Sequence, residues 1–407
     1  MSGSGNETES ENWAVRRLSH SPPESAGTSH AYYDIPVIDA SGSQVVAHRL
    51  FFSGRQPNVE DRVEIGLLNI DAEASSDNWT PIGESRAWSW QQGPMTQWIG
   101  TTRQVVWNAR RDATDQASPE IVAQIMDTVT GTSRQLPGQV YAVTPDGKTA
   151  LSLDMTRLER LRPGYGYAAR AGAVSLVRAP SDDGVWSMDM VSGERRLVLS
   201  LAEAVRFLQA HTPLKSRLKR ALKRYHFWFN HAKFSPDRSR FTVKLRWRNI
   251  GGPWNDQQGV SLTCKLDGRD LRLLAQGTSH VIWLDDSHLY FWQRDGLRLA
   301  HDTSPKGSIL EQLAPELIQA NVHMRHFPDN NDQFIFDTPY REQIDLIVWN
   351  RRQNSHQTIA TFTGHQPAKG PFRCDLHPSL SANGRQVVVT SLQSGKREVY
   401  VLELKST

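Results

Sequence analysis

One phrase returns along this chain and limits what it can fold into. A short apolar strand opens on a polar ring residue, closes on Pro-Asp-Gly or a near copy, and is followed by a second strand. The fullest copies are Asn230-His231-Ala232-Lys233-Phe234-Ser235-Pro236-Asp237 and His377-Pro378-Ser379-Leu380-Ser381-Ala382-Asn383-Gly384. Val143-Thr144-Pro145-Asp146-Gly147 and His326-Phe327-Pro328-Asp329-Asn330 are weaker ones. Proline presets φ, and Asp-Gly or Asn-Gly accepts positive φ, so each phrase closes a tight turn between antiparallel strands. Recurrence at roughly 40 to 60 residues in an all-β context predicts a β-propeller with one phrase per blade.

Blade openings fall around His30, Gln91, Tyr141, His231, His280, His323 and His377. Seven openings predict a seven-bladed propeller; six or eight blades would require one of them to be misread. Residues 31–37 read as the inner strand of the first blade, and residues 86–93 open the second. Residues 13–18 form an apolar strand placed to complete the last blade. Residues 1–12 are Ser/Gly/Glu/Asn-rich and read as a disordered lead, leaving 13–407 as one propeller. A helical insertion at 201–225 breaks the rhythm, with apolar residues at 3–4 spacing and a split at Pro213. Its second piece carries Lys215, Arg217, Lys219, Arg220, Lys223 and Arg224, either a solvated face or a steering surface for an acidic polymer.

Bulk properties narrow the partners. Lys and Arg number 47 against 43 Asp and Glu, a formal charge of +4. That bias suits an anionic ligand but is not concentrated into a nucleic-acid footprint, and no aromatic interleaving accompanies the basic run. Two cysteines cannot build a disulfide framework. Residues 1–13 lack the apolar core of a signal peptide, and no apolar window is long enough to span a membrane. A soluble cytoplasmic protein is expected. The 13 tryptophans suit packing between blades, with stacking on sugar as the alternative.

Inner strands line the axis of a propeller, so their first residues face one mouth. A single histidine there is ordinarily a hydrogen-bonded structural residue; five of seven would converge on one rim. With a carboxylate such as Asp375 they make a candidate site for Mn, Zn, Fe or Ni. Arginines gather at the same level: Arg86, Arg246, Arg248, Arg325, Arg341 and Arg373. Their planar forks suit the carboxylate of an acidic sugar. Lys244-Leu245-Arg246-Trp247-Arg248 alternates, sending three cations off one face; an exposed charged edge is the competing reading. Gly164-Tyr165-Gly166-Tyr167 reads as a loop with exposed tyrosines. No Gly-x-Ser-x-Gly elbow and no phosphate-cradling glycine loop is present.

Residues 229–237, Thr278-Ser279-His280-Val281-Ile282-Trp283 and His377-Pro378-Ser379-Leu380 resemble the oligogalacturonide lyase family, most clearly over 226–403. The family consists of seven-bladed propellers of TolB-type repeats that cleave short uronic-acid oligomers in the cytoplasm around a divalent metal, typically manganese. The resemblance implies His280, Asp375 and His377 as holders of a divalent ion, Mn or Ca. Asp375 stands where the family has a histidine, its ligand glutamine has no match, and no histidine occurs near Lys244–Arg246, where its catalytic one would lie. The reaction implied is β-elimination from a uronate, in an acidic oligo- or polysaccharide. Arg246 and Arg325 would neutralise the carboxylate, His231 would remove the C5 proton, and Tyr165 would protonate the leaving oxygen. His30, Arg86, Gln91, Lys244, Arg248, His323 and Arg341 would contact substrate. A non-catalytic propeller that binds acidic polysaccharide or proteins is the main rival. A glycoside hydrolase would need paired carboxylates, for which Asp34, Asp337 and Asp375 are candidates.

Overall fold

The recurring phrase works as one turn used in several blades. In three of them a hydroxyl opens the turn and bonds the carboxylate or amide oxygen two residues on: Thr144 to Asp146 at 2.6 Å, Ser235 to Asp237 at 2.6 Å, and Ser381 to Asn383 at 2.8 Å. The same hydroxyl accepts the amide five residues ahead, from Thr149, Arg240 and Gln386 at 3.0–3.1 Å. Side-chain acceptors replace the ladder where the chain reverses, which is why Ser/Thr and Asp/Asn recur at these places.

The computed structural model describes residues 12–72, 78–111, 120–170, 177–213, 225–250, 252–253 and 257–405. Seven four-stranded antiparallel sheets form a seven-bladed propeller. The inner strands are Gly27–Ser29, Gln97–Trp98, Ala142–Val143, His226–Phe234, Thr278–Trp283, Met324–Phe327 and Ser379–Leu380. Six sheets are built from consecutive strands. The seventh borrows Trp13–Arg17, which pairs with Glu398–Leu404 from Trp13↔Leu404 to Arg17↔Tyr400. The ring is therefore closed by the strand the sequence offered for it.

Two blade openings differ from expectation. The first inner strand is Gly27–Ser29; the chain then turns, with the Ile35 amide on the Tyr32 carbonyl at 2.9 Å, and rejoins at the Ile38↔Val45 bridge. The second blade opens at Gln97–Trp98, beyond residues 86–93. The insertion begins with the predicted helix, Leu201–Ala210, whose Ser200 and Glu203 form a capping box. Residues 214–224, with the six cations, lie outside the described residues. A second helix, Met155–Leu161, is N-capped by Asp154. No helix among the described residues is long and apolar enough to cross a membrane.

Blade strands are covered on both faces. In Arg240–Arg248 every residue except Arg248 is buried, so the alternating cations are not an exposed edge. That burial sets up the site.

Candidate functional site

Counting back four residues from each turn opener reaches the same place in every blade. In the last four blades it holds His231, His280, His323 and His377; in the first three it holds Ile35, Met95 and Val140. The rim thus has four histidines. His30 lies elsewhere, buried beneath one of them, with Nδ1 on Thr390 Oγ1 at 2.6 Å and Nε2 on the His377 carbonyl at 2.8 Å. His231, His280 and His377 have φ of 55°, 49° and 50°. The inner-strand pairing slips at Asn230/Lys233 and at Ser279/Ile282. A left-handed, non-glycine residue costs about 1–2 kcal/mol, and such strain concentrates at functional sites.

These histidines meet. Ring centroids are 4.2 Å apart for His280 and His323 and 4.5 Å for His323 and His377. Tyr32 and Tyr33, buried at 1% and 0% exposure, plug the axis beneath them. Tyr32 packs on His231, His323 and His377, and Tyr33 on His280, His323 and His377. Burial first, then neighbouring cations and imidazoles, pushes His231, His280 and His377 well below the ordinary range. They are neutral imidazoles.

Three groups have metal-holding geometry. One ligand atom each from His323, Asp375 and His377 lies within 4.8 Å of the others. Asp375 Oδ2 is 4.0 Å from His323 Nε2 and 3.8 Å from His377 Nε2, and both nitrogens are buried without a hydrogen-bond partner. Asp337 holds the opposite nitrogen of His323 at 2.9 Å, the carboxylate–imidazole support usual behind a metal ligand. Two orphaned nitrogens and one carboxylate fit a divalent ion of the manganese or zinc type. His280 is not among the three whose ligand atoms lie this close together; its Nδ1 is 2.7 Å from the Val322 carbonyl oxygen, a support that leaves Nε2 as its ligand atom. Arg373 shares the carboxylate, with Nε on Asp375 Oδ2 at 2.7 Å.

Beside this set lies a concentration of positive charge. Lys244 and Arg246 are 6% and 8% exposed, and among the described residues neither side chain has an ion pair or hydrogen bond. Gly259 on the adjacent strand makes room for them: a Cβ there would lie 3.1 Å from Arg246 Cγ and 3.3 Å from Lys244 Cε. Burial, then Arg246 and Arg162, pushes Lys244 well below its ordinary range, and burial, then Arg162, does the same to Arg246 against the opposing Tyr165, Tyr32 and Tyr340. Among the described residues no carboxylate pairs with either side chain. Buried charges without counter-charges are costly, so these two call for an anion from outside.

Tyr165 enters the same mouth on the loop after Met155–Leu161. Glu159 accepts the amides of Gly164 and Gly166 at 2.8 and 3.2 Å. Gly166 admits no side chain, since a Cβ would fall 2.0 Å from the Met155 carbonyl oxygen. The loop expected to expose its tyrosines buries them, Tyr165 at 3% and Tyr167 at 0%. Arg162 lies over the Tyr165 ring at 3.8 Å, and Arg373 donates to Tyr165 Oη at 2.8 Å. Burial raises the phenol pKa, but the Arg373 and Arg162 charges outweigh it and hold the phenol below its usual range. Its ring centroid is 6.5 Å from that of His231. Gln92 Nε2 donates to Tyr141 Oη at 2.6 Å, and Tyr141 Oη lies 2.9 Å from His231 Nδ1. With Gln92 donating to the phenol oxygen, the phenol proton can go to His231 Nδ1, the arrangement in which the imidazole proton sits on Nε2.

The remaining candidates take varied positions. Gln91 braces the mouth, donating to the Pro371 and Arg373 carbonyls at 3.1 and 3.0 Å. Arg248 ties its own loop to the Asn249 and Gly252 carbonyls. Arg86 pairs with Glu60 at 3.3 Å, and Arg341 is exposed. Arg325, two residues beyond His323, reaches the cavity on the turn side of the plug. The three carboxylates proposed for hydrolysis are committed separately: Asp34 to Lys233, Asp337 to His323 and Asp375 to Arg373. Sequence reasoning missed Arg162, the Tyr32-Tyr33 plug and the Gln92–Tyr141 support, and it took Asp337 for a hydrolase carboxylate rather than the support of His323.

Burial of so many imidazoles has a pH consequence. Desolvation pulls His30 and His326 down to about 4 and His48 to about 3. Below pH 6.5 the unfolded chain takes up protons these residues refuse when folded, so their stabilisation is complete above that pH and is lost below it. Each contributes up to about 1.4 kcal/mol per pH unit. Glu159 and Asp183, pushed up to about 7 by burial, act oppositely but are outnumbered. Urea midpoints should fall between about pH 7.5 and pH 5; an unchanged or rising midpoint contradicts this.

Fold and site together define a class: a seven-bladed propeller with neutral imidazoles, a carboxylate and unpaired buried cations at one axial mouth. Among solved structures the chain is similar to an oligogalacturonate lyase in complex with manganese, at TM-score 0.60 and 14% identity over 98% of this chain and 96% of that one. It is similar also to an oligogalacturonate lyase from Vibrio parahaemolyticus, at TM-score 0.57 and 14% identity over 96% and 94%. The tricorn protease aligns with 97% of this chain but 34% of its own, at TM-score 0.51 and 9% identity. At such identities the likeness is one of fold. No family model and no curated protein matches the chain.

Proposed function

We propose that this protein is a lyase that cleaves a uronate-containing oligosaccharide by β-elimination at the histidine mouth. The observation that carries the reading is the pair of buried cations, Lys244 and Arg246, which lie beside Tyr165 and His231 and have no carboxylate partner among the described residues. Their anion is the uronate carboxylate. Neutralising it makes the C5 proton removable, because negative charge spreads onto the carboxylate as that proton leaves.

Tyr165 removes the proton. Two guanidiniums stabilise its phenolate, whereas His231 is so weakly basic that it makes a poor acceptor. The C5 electron pair forms the new double bond as the C4–O4 bond breaks. O4 then recovers a proton from Tyr165, regenerating the phenolate. The roles expected from sequence are thus redistributed, with His231 kept as a neutral donor through Nε2. A divalent ion held by His323, Asp375 and His377 would supply Lewis-acid charge at this mouth. Two imidazoles among three donors favour manganese or zinc over calcium.

The test is to incubate the protein with manganese and a panel of galacturonate, glucuronate and other uronate oligomers, following the ultraviolet absorbance of the conjugated product. Unsaturated product from at least one oligomer is expected. No product across the panel defeats the lyase reading; binding without product would make the mouth a receptor for acidic glycan instead.

A further inference from the structure

The mouth opposite the histidines holds a separate cavity of about 490 Å³, ample for a small ligand. Every blade contributes to its wall at the turn end of the inner strand. The walls are largely ring and hydrocarbon: Trp98, Phe234, Trp283 and Leu380 line it. Both indole N–H groups are already used, Trp98 on the Val37 carbonyl at 3.1 Å and Trp283 on the Lys233 carbonyl at 3.3 Å. Those side chains therefore present carbon to a guest.

Charge on the floor is unbalanced. Lys233 and Asp34 close on each other at 3.1 Å and contribute no net charge. Arg325 is left over. Among the described residues its one hydrogen bond is a long contact with the Tyr33 carbonyl at 3.4 Å, and its Nε is buried without a partner. Asp34 is the only carboxylate among the residues lining the cavity, and Asp146 and Asp237, which follow wall prolines, are held by the turn hydroxyls of Thr144 and Ser235 at 2.6 Å. Tyr32 and Tyr33 separate this cavity from the histidine mouth.

We propose that this cavity is a second ligand site, taking a small carboxylate with an apolar body and pairing the carboxylate with the Arg325 fork. An apolar wall with one fixed cation selects against sugars, which need many hydrogen bonds, and against amines, which Arg325 repels. The site is independent of the lyase reading, since none of its residues belongs to that chemistry.

Calorimetric titration with phenylacetate, phenethylamine and benzyl alcohol tests it. Phenylacetate is expected to bind once per chain, and the amine and alcohol at least about tenfold more weakly. Arg325→Met is expected to weaken phenylacetate by about tenfold or more, with Arg325→Gln carrying the same test should the methionine variant not fold. Arg246→Met, at the other mouth, should leave phenylacetate affinity as it is. The proposal is overturned if phenylacetate does not bind, if the Arg325 variants bind it equally well, or if Arg246→Met abolishes binding.

Discussion

Replacing Lys244 by methionine should make this protein more stable and, at the same time, deprive it of its ligand. A buried ammonium without a counter-charge disfavours the folded state, and methionine fills similar volume without the desolvation cost. Substitutions of this kind gain about 1–4 kcal/mol. Arg246→Met should behave likewise, because it shares the same burial and the same lack of a partner. Affinity for uronate oligomers should drop by roughly 10- to 100-fold in each variant, the worth of one charge-assisted hydrogen bond. Urea denaturation and calorimetry read the two effects separately. Both variants losing stability would mean that these cations are structural, and the anion site would be lost with that result.

Tyr165→Phe should leave oligomer binding nearly intact while kcat falls by about 100- to 10,000-fold, the range for a lost proton-transfer group. The phenylalanine keeps the ring beneath Arg162 and removes only the oxygen that Arg373 contacts. Wild-type activity should rise with pH as the phenol ionises, at a pKa below the ordinary phenol value. Were His231 the base, its strongly depressed pKa would leave activity flat between about pH 6 and pH 9. A flat profile with an active Tyr165→Phe enzyme would return the base to His231.

Much of the architecture was legible because it rests on local chemistry repeated in register. Ser235, Ser381 and Thr144 announce their turns, and of the five histidines expected at the rim four lie at one fixed offset before the turn of their blade. Residues 13–18 could be read as a closing strand because they are apolar and otherwise unpartnered. Where the chain departs from the repeat, the reading failed. Residues 31–37 look like a strand, yet Tyr32 and Tyr33 turn inward to close the axis, a placement that no periodicity encodes. His30 resembled a rim residue because it is a histidine near an opening, but it supports His377 from beneath. Tyr165 looked exposed because glycines flank it; those glycines instead let Glu159 fold the loop inward. Arg373 meets Asp375 two residues along the chain, but its bond to Tyr165 joins segments 208 residues apart, and only the closed ring brings those together.

The most direct test of the whole account is calorimetric titration of the protein with a uronate oligomer and with its methyl ester, which has the same shape and no carboxylate charge. Binding of the acid, with the ester weaker by roughly tenfold or more, is what buried cations awaiting an anion predict. Equal affinity for acid and ester would contradict it.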